Sequence, residues 1–342
     1  MCSRRISLLC VTCCAAVLAA AAQQAGAQAL TIYQIQYTQD PLGASPQASQ
    51  IVDCAGGIVM AKYGGFKLTL QDPAYPDGWG GIQIKDWTVD LELFDGVEVG
   101  DRVSLANVFV EEYRGNTLLQ YQPENSPGFA VLSSGNPLPA HKLVTAGEIA
   151  APVEGPPREW YVADHSAEKY EAMLLKVEDV TVTAMDLGKA RDNYNLSDAG
   201  ADCWAADYIN ADRGDLYHPY VELDHHFQSV SGILEQYTKN EWDYYQLLTT
   251  ATDDLSPMPG DADMDGAVDV GDLGILGANY GQSGKTWFDG DFTGDSVVNV
   301  GDLGILGANY GAGGGSSPPL PEPATIVLLA AGFLLTRGRK RR

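Results

Sequence analysis

The twelve-residue sequence VGDLGILGANYG occurs twice, at Val270–Gly281 and again thirty residues later at Val300–Gly311. Identity of this length at a fixed offset indicates a duplicated structural unit. Each copy overlaps the end of an acidic loop, DADMDGAVDVGD at Asp261–Asp272 and DFTGDSVVNVGD at Asp291–Asp302. Residues 260–311 are therefore predicted to form one small module of two loop–helix repeats, the paired-loop module.

The acidic loops place oxygen atoms where a twelve-residue calcium loop needs them. Ca²⁺ takes about 6–8 oxygen ligands, from places 1, 3, 5, 9 and 12 and from a main-chain carbonyl at place 7. In the first loop these are Asp261, Asp263, Asp265, the Ala267 carbonyl, Asp269 (through water) and Asp272. In the second loop they are Asp291, Thr293, Asp295, the Val297 carbonyl, Asn299 and Asp302. The alternative, an acidic surface without metal, leaves clustered carboxylates repelling one another.

The two loops are not equivalent, and the second site is predicted to be the weaker. It offers fewer carboxylates, and Ser296 stands where the first loop has Gly266. The chain must turn sharply at this place with positive φ, which glycine adopts without steric cost.

The segment after each loop is predicted to be a helix that buries an apolar stripe against its twin. In the first helix the stripe is Val270, Leu273 and Leu276, and in the second it is Val300, Leu303 and Leu306. Glycines within both segments lower helix propensity by about 1 kcal/mol each, so the helices should depend on metal and on pairing.

Loop, helix and duplication together resemble type I dockerin domains, which are paired half EF-hands with Asp at the twelfth place. The resemblance implies a small all-α module with two Ca²⁺ ions. Cellulosomal dockerins usually carry a hydroxyl pair at places 10 and 11, where a cohesin docks. Here those places are Val270-Gly271 and Val300-Gly301, which leaves the partner open between a cohesin-like protein and another surface protein.

Charge restricts the partners of the 342-residue chain, whose net charge is −24. Residues 1–29 and 324–342 hold seven of its 21 basic residues and none of its 45 acidic ones, so the remainder is more acidic still. Such a surface repels nucleic acid, whose binding requires phosphate neutralisation.

Residues 1–29 are predicted to be a secretory signal peptide, because Arg4-Arg5 precede an apolar run that ends in Ala27-Gln28-Ala29. Signal peptidase would leave a mature chain beginning near Leu30. Only Cys54 and Cys203 then remain. They could pair in an oxidising compartment or be two separate core residues.

Two β domains are predicted, at residues 30–136 and 137–252, because short alternating strands recur with turn residues between them. Ile51–Ala61 parallels Leu174–Ala184, so the second domain is read as a divergent copy, with a short helix at 145–149. Thr31–Tyr37, Val97–Val103 and Tyr170–Leu174 resemble tandem OB-fold-like domains of secreted bacterial proteins, some found beside extracellular nucleases. The fold class is thus mainly β, with two OB-like barrels before the all-α module.

The C-terminal segments are predicted to be linkers and an anchor. Residues 253–259 form a short linker, and residues 312–320 are Gly/Ser/Pro-rich and flexible. Residues 321–342 contain Pro321-Glu322-Pro323, a 13-residue apolar run and a basic cluster. They resemble a PEP-CTERM sorting signal, which implies a transient inner-membrane anchor that an exosortase removes. An ordinary tail anchor is the alternative.

Catalytic signatures such as G-x-S-x-G, H-E-x-x-H or a P-loop are absent from the sequence. His225-His226 is the single histidine pair, and neighbouring strand residues point to opposite faces, so it makes a poor zinc site. The sequence predicts a non-catalytic, exported, surface-associated calcium-binding protein for adhesion, matrix or complex assembly. One alternative is an accessory or catalytic component of extracellular polysaccharide degradation that contacts a glycan. Another is a nucleic-acid-binding OB protein.

Overall fold

The computed structural model describes residues 28–40, 43–63, 67–86, 94–187, 193–207, 220–250 and 254–313. The predicted sorting segment and almost all of the predicted signal peptide and flexible linker lie outside these residues. Within the described ranges, every helix is too short or too polar to traverse a lipid bilayer. The chain forms two compact units: residues 1–142, 152–175 and 233–246 in the first, and the remaining residues in the second.

The first unit contains a closed five-stranded barrel. Its strands are β1 (Ile51–Tyr63), β2 (Lys67–Gln71), β3 (Gly81–Asp86), β4 (Arg102–Tyr113) and β5 (Asn116–Tyr121). They run in the order β1-β2-β3-β5-β4, and β4 pairs back onto β1 from Ile51↔Phe109 to Ile58↔Arg102. The β3–β5 pair is parallel, whereas the other pairs are antiparallel. This closure is the OB-like arrangement that the sequence predicts, and β6 (Gly128–Ser133) extends it beside β4.

Alternating apolar residues fill this barrel. Leu68, Leu70, Ile82 and Ile84 are fully buried, and they pack with the apolar face of α1 (Ile32–Gln36). Thr31 begins that helix by accepting a hydrogen bond from the Gln34 N–H, which satisfies an otherwise free helix donor.

The second barrel repeats the same strand order. Its strands are β10 (Leu174–Ala184), β11 (Asn193–Ser197), β12 (Asp202–Ala206), β13 (His226–Lys239) and β14 (Trp242–Leu248). They run β10-β11-β12-β14-β13, and β13 also pairs β10. The predicted internal copy is therefore confirmed, since both barrels close through the order 1-2-3-5-4.

Short elements complete this part of the chain. They are β7 (Lys142–Leu143), β8 (Val153–Glu154), β9 (Trp160–Tyr161), β15 (Leu255–Ser256) and α2 (Ala146–Ile149). The predicted helix at 145–149 is confirmed as α2, which Thr145 caps together with Glu148. Cys54 and Cys203 are buried free thiols, and burial raises the pKa of Cys54 to about 12.

The second unit ends in the paired-loop module, which contains α3 (Val270–Asn279) and α4 (Val300–Asn309). Its core consists of three pairs of residues related by the thirty-residue offset: Ala262 and Phe292, Val268 and Val298, Leu276 and Leu306. Each repeat of the sequence therefore supplies residues at the same three core positions.

The predicted helix stripe was wrong in two of its three positions. Leu276 and Leu306 are 1% and 2% exposed, but Val270 and Val300 are 70% and 71% exposed. Leu273 and Leu303 are also exposed, at 40% and 38%. The physical reason is that loop residues such as Ala262 and Val268 fill much of the core, to which each stripe contributes only one fully buried residue.

A buried carboxyl pair in the first unit makes its stability depend on pH. Glu168 and Glu171 are 5% and 2% exposed. The Tyr245 hydroxyl donates to Glu168 Oε2 over 2.7 Å, and the Thr117 N–H donates to Glu171 Oε2 over 3.2 Å. Burial raises the pKa of Glu168 to about 7. Burial and the nearby charge of Glu168 raise the pKa of Glu171 well above its ordinary value.

Because the pKa of Glu168 is raised on folding, its protonated form stabilises the folded state. The contribution is complete below pH 4.5 and is lost as the pH rises through about 7. We expect the free energy of unfolding to fall by on the order of 3 kcal/mol between pH 5 and pH 8. Urea titrations across this range should show a flatter profile for Glu168→Gln, with the exposed-residue variant Glu124→Gln as control. An equally steep profile in Glu168→Gln would contradict the assignment.

Candidate metal centre

Each predicted ligand loop leads directly into a helix, and its last ligand fastens the loop. Asp269 caps α3 by accepting from the Gly271 N–H over 2.6 Å. Asp272 returns the contact, because its Oδ2 accepts from the Asp269 N–H over 2.8 Å and its Oδ1 accepts from the Ala262 N–H over 2.6 Å. Helix capping and loop closure therefore use the same two carboxylates.

Three of the predicted ligands converge at the start of the first loop. Carboxylate oxygens of Asp261, Asp263 and Asp265 all lie within 4.8 Å of one another. Asp261 is completely buried, and its Oδ2 accepts from the Gly266 N–H over 3.0 Å. Its Oδ1 is also buried and has no hydrogen-bond partner among the described residues. A buried carboxylate oxygen without a partner is costly unless a cation satisfies it.

The other side chains of this loop hold the backbone in shape around that oxygen. Asp265 Oδ1 accepts from the Ala267 N–H over 2.9 Å. Gly266 has φ +85°, as predicted for the sharp turn. Asp263 and Asp265 remain exposed at the mouth of the loop, where water and ions reach them.

The mutual repulsion of these acids shows in their proton affinities. Burial raises the pKa of Asp261, and the neighbouring charges of Asp272, Asp265 and Asp263 add to this effect against the Gly266 hydrogen bond, so that the pKa lies at about 7. Burial and the charge of Asp265 also raise the pKa of Asp263. A positive charge at this point would relieve both effects.

The second loop has the same frame with different chemistry. Asp291 Oδ2 accepts from the Ser296 N–H over 2.7 Å, and the Thr293 hydroxyl donates to Asp291 Oδ1 over 3.2 Å. Asp302 Oδ1 accepts from the Phe292 and Thr293 N–H groups, each over 2.9 Å. Burial opposes ionisation of Asp302, but hydrogen bonds from the Asn299, Thr293 and Phe292 N–H groups outweigh it and lower the pKa of this carboxyl.

Two further features distinguish the second loop. The Asn299 side-chain amide donates to the Val297 carbonyl over 3.0 Å, so the Val297 carbonyl, a predicted ligand, already accepts a hydrogen bond within the protein. A third contact is shared by both loops, because Asp295 Oδ1 accepts from the Val297 N–H over 2.9 Å as Asp265 Oδ1 does from the Ala267 N–H. Ser296 adopts φ +65°, a left-handed conformation that costs a non-glycine residue about 1–2 kcal/mol.

One residue of the histidine pair, His226, contacts the first loop. The main-chain N–H of His226 donates to the Met264 carbonyl over 2.8 Å. A Cβ placed on Gly266 would lie 2.9 Å from Cγ of His226, so the ring packs directly against the turn. The His226 ring also lies 3.1 Å from Thr181 Oγ1 and 3.2 Å from Asp179 Oδ1.

An aromatic cluster contacts the same loop through Trp287. The Trp287 indole N–H donates to the Asp261 carbonyl over 2.6 Å. Tyr220 lies edge-on to Phe288 with ring centroids 5.6 Å apart, and the His225 ring lies 5.7 Å from that of Phe288. These contacts join residues that are distant in sequence, and no local pattern in the sequence indicates them.

Comparisons with known proteins identify no family. No family model and no curated protein matches the chain. Solved structures do match it, among them a murine DNA-binding protein bound with double-stranded DNA. That match has 9% identity and a TM-score of 0.28, and it covers 57% of this chain and 88% of the other.

Two further similar structures are complexes with single-stranded DNA. A replication protein A heterotrimer bound to single-stranded DNA has 12% identity and a TM-score of 0.22, covering 64% of this chain and 68% of the other. Fission yeast Pot1 with single-stranded DNA has 11% identity and a TM-score of 0.25, covering 60% and 80%. Similarity at these TM-scores carries no argument about activity. The strand orders described above establish a mainly β protein with two OB-like barrels and a small helical module.

Proposed function

We propose that the paired-loop module binds two calcium ions and that the protein is a non-catalytic binding protein. The observation that carries this proposal is the buried, unpartnered Oδ1 of Asp261 beside the carboxylates of Asp263 and Asp265. Oxygen donors alone select a hard cation such as Ca²⁺ or Mg²⁺. The twelve-residue loop with a main-chain carbonyl at place 7 favours the larger ion, which accepts more ligands at less regular angles.

The residues that would hold the ions are those named from the sequence. In the first loop they are Asp261, Asp263, Asp265, Ala267, Asp269 and Asp272. In the second loop they are Asp291, Thr293, Asp295, Val297, Asn299 and Asp302. The ion would supply the positive charge that lets two loops of carboxylates pack around one small core. The Asn299–Val297 hydrogen bond and the conformation of Ser296 support a weaker second site.

Export and surface attachment form part of the same proposal. They rest on the sequence of residues 1–29 and 321–342, which resemble a signal peptide and a sorting signal. Calcium is abundant outside cells, where a module of this kind would be loaded and would serve adhesion, matrix or complex assembly. Its partner would be a cohesin-like or other surface protein, and signal peptidase and an exosortase would process the chain.

Nucleic-acid binding by the barrels is the second candidate, because one face of an OB-type barrel commonly binds oligonucleotides. The net charge of −24 opposes it. Retention of the full-length protein on immobilised DNA at low salt, lost as salt rises, would support this candidate over a purely non-nucleic-acid role. We expect no retention.

The contact with His226 predicts that the two calcium sites respond differently to one substitution. His226→Ala should weaken calcium binding at the first loop by about tenfold, or about 1.4 kcal/mol, because the turn at Gly266 loses its packing. Calorimetry in an Asp291→Asn background isolates the first site, and an Asp261→Asn background isolates the second.

The second site should keep its affinity in His226→Ala, since none of the His226 contacts described above involves Asp291–Asp302. His141→Ala provides a matched control, because His141 is exposed and distant in sequence from both loops. Equal weakening of both sites would show that His226 acts on general stability and not on the first loop.

A further inference from the structure

A cavity of about 600 Å³ opens in the first unit, within the size range of small-molecule sites. It lies beside β9, β13 and β14 and includes no residue of the paired-loop module. Its polar lining comes from Arg158, Asp164, His165, Gln236, Thr238 and Asp243. Pro157, Tyr161 and Val162 add apolar surface.

Asp243 is held rigidly, with one oxygen left for other contacts. It is 7% exposed, and its Oδ1 accepts from Thr238 Oγ1 over 2.6 Å and from Gln236 Nε2 over 3.1 Å. Its Oδ2 lies 3.6 Å from His165 Nε2, beyond hydrogen-bond length. Oδ1 is therefore satisfied, whereas Oδ2 can accept a donor from the cavity.

A buried chain of hydrogen bonds fixes the tautomer of His165. The Tyr245 hydroxyl donates its hydrogen to Glu168 Oε2 over 2.7 Å. Its oxygen therefore accepts from His165 Nδ1, 3.1 Å away. The Gln236 amide is a more distant neighbour of Nδ1, at 3.4 Å, and it has closer acceptors in Asp243 and Thr238. With the hydrogen on Nδ1, Nε2 is an acceptor.

Two acceptors, His165 Nε2 and Asp243 Oδ2, thus lie side by side at the cavity and require donors. The carboxylates of Asp243 and Asp164 disfavour an anionic ligand. The Arg158 guanidinium, which also donates to the Asn240 carbonyl, offers donors to a ligand oxygen. Hydroxyl groups both donate and accept, and the apolar wall suits a face made of C–H groups.

We propose that this cavity binds a saccharide of one or two pyranose rings. Neighbouring ring hydroxyls would donate to Asp243 Oδ2 and His165 Nε2, and Arg158 would donate to a ring or hydroxyl oxygen. The ring would pack on Tyr161. The site goes beyond calcium binding and uses none of the calcium ligands.

Saturation-transfer NMR on the full-length protein tests the proposal with four probes: D-glucose, D-galactose, D-mannose and N-acetyl-D-glucosamine. At least one should bind with a dissociation constant of about 1 mM or tighter. Putrescine serves as an amine probe. Binding of putrescine with no response from any sugar, or no binding of any probe, would overturn the saccharide assignment.

Three substitutions test whether the sugar binds in this cavity. Asp243→Asn keeps the acceptor for Thr238 and Gln236 but turns the free oxygen into a donor, so binding should weaken at least tenfold. Tyr161 is only partly buried, so Tyr161→Ala should disturb folding less than a substitution of the buried Asp243. It should also weaken binding severalfold. Glu159→Gln, an exposed neighbour outside the lining, should leave it unchanged. Full sugar binding in both Asp243→Asn and Tyr161→Ala would move the site elsewhere and overturn the proposal.

Discussion

Chelating calcium from the full-length protein is expected to open the paired-loop module, exposing the amides of α3 and α4 to solvent exchange. Each bound ion would stabilise the folded module by about 2.7 kcal/mol when free calcium is a hundredfold above the dissociation constant. Two ions would contribute about twice that amount. The core that remains without them is small, with six buried residues, and glycines weaken both helices.

Hydrogen exchange followed by mass spectrometry measures this effect within the intact chain. Amides of Val270–Asn279 and Val300–Asn309 should exchange at least a hundredfold faster in chelator, while amides of β4 in the first barrel provide an internal reference. The double variant Asp261→Asn, Asp291→Asn should reproduce the chelator pattern in saturating calcium. Helices that stay protected under both conditions would mean that packing alone holds the module.

Truncating Leu276 should cost the module about 2–5 kcal/mol, the usual range for a buried leucine replaced by alanine. Leu276 is 1% exposed. Gly290 approaches so closely that a Cβ there would lie 2.9 Å from Cα of Leu276, so little rearrangement can fill the space. Leu306→Ala should behave alike, because the duplication places Leu306 at the matching core position.

Leu273→Ala is the matched control, since Leu273 lies one helical turn away and is 40% exposed. Its cost should stay below about 1 kcal/mol. Hydrogen-exchange protection factors for α3, measured in saturating calcium, give the stability cost of both substitutions. A Leu273→Ala cost equal to that of Leu276→Ala would favour the predicted apolar stripe over the observed packing.

Strand positions and the presence of two similar β domains could be predicted from patterns in the sequence. Alternation at Leu68, Leu70, Ile82 and Ile84 has the period of a half-buried strand, and all four side chains are buried. The parallel between Ile51–Ala61 and Leu174–Ala184 predicted a repeated domain, and the repeated strand order bears this out. Both features can be recognised in a single sequence, because one is local and the other is an internal repeat.

Helix packing in the module could be predicted only in part. Spacing identifies Val270, Leu273 and Leu276 as one helix face, but it does not show how far a partner covers that face. Loop residues Ala262 and Val268 occupy part of the core that the stripe was expected to fill. The place of Gly266, by contrast, could be predicted because a sharp turn requires positive φ, and φ there is +85°.

Contacts between distant segments had no signal in the sequence. His226 contacts the first acidic loop at Met264 and Gly266, and His165 lies next to Asp243 at the cavity. Each pair is separated by tens of residues and belongs to no spacing motif. Such sites depend on how the barrel closes, which pattern alone does not specify.

Calorimetric titration of calcium into the metal-free, full-length protein tests the central claim most directly. We predict two binding events of unequal affinity, with the tighter one abolished by Asp261→Asn and the weaker one abolished by Asp291→Asn. The exposed-residue variant Glu178→Gln should retain both. Absence of any calcium uptake by the unaltered protein, or uptake that survives both loop substitutions together, would contradict the proposed role of residues 260–311.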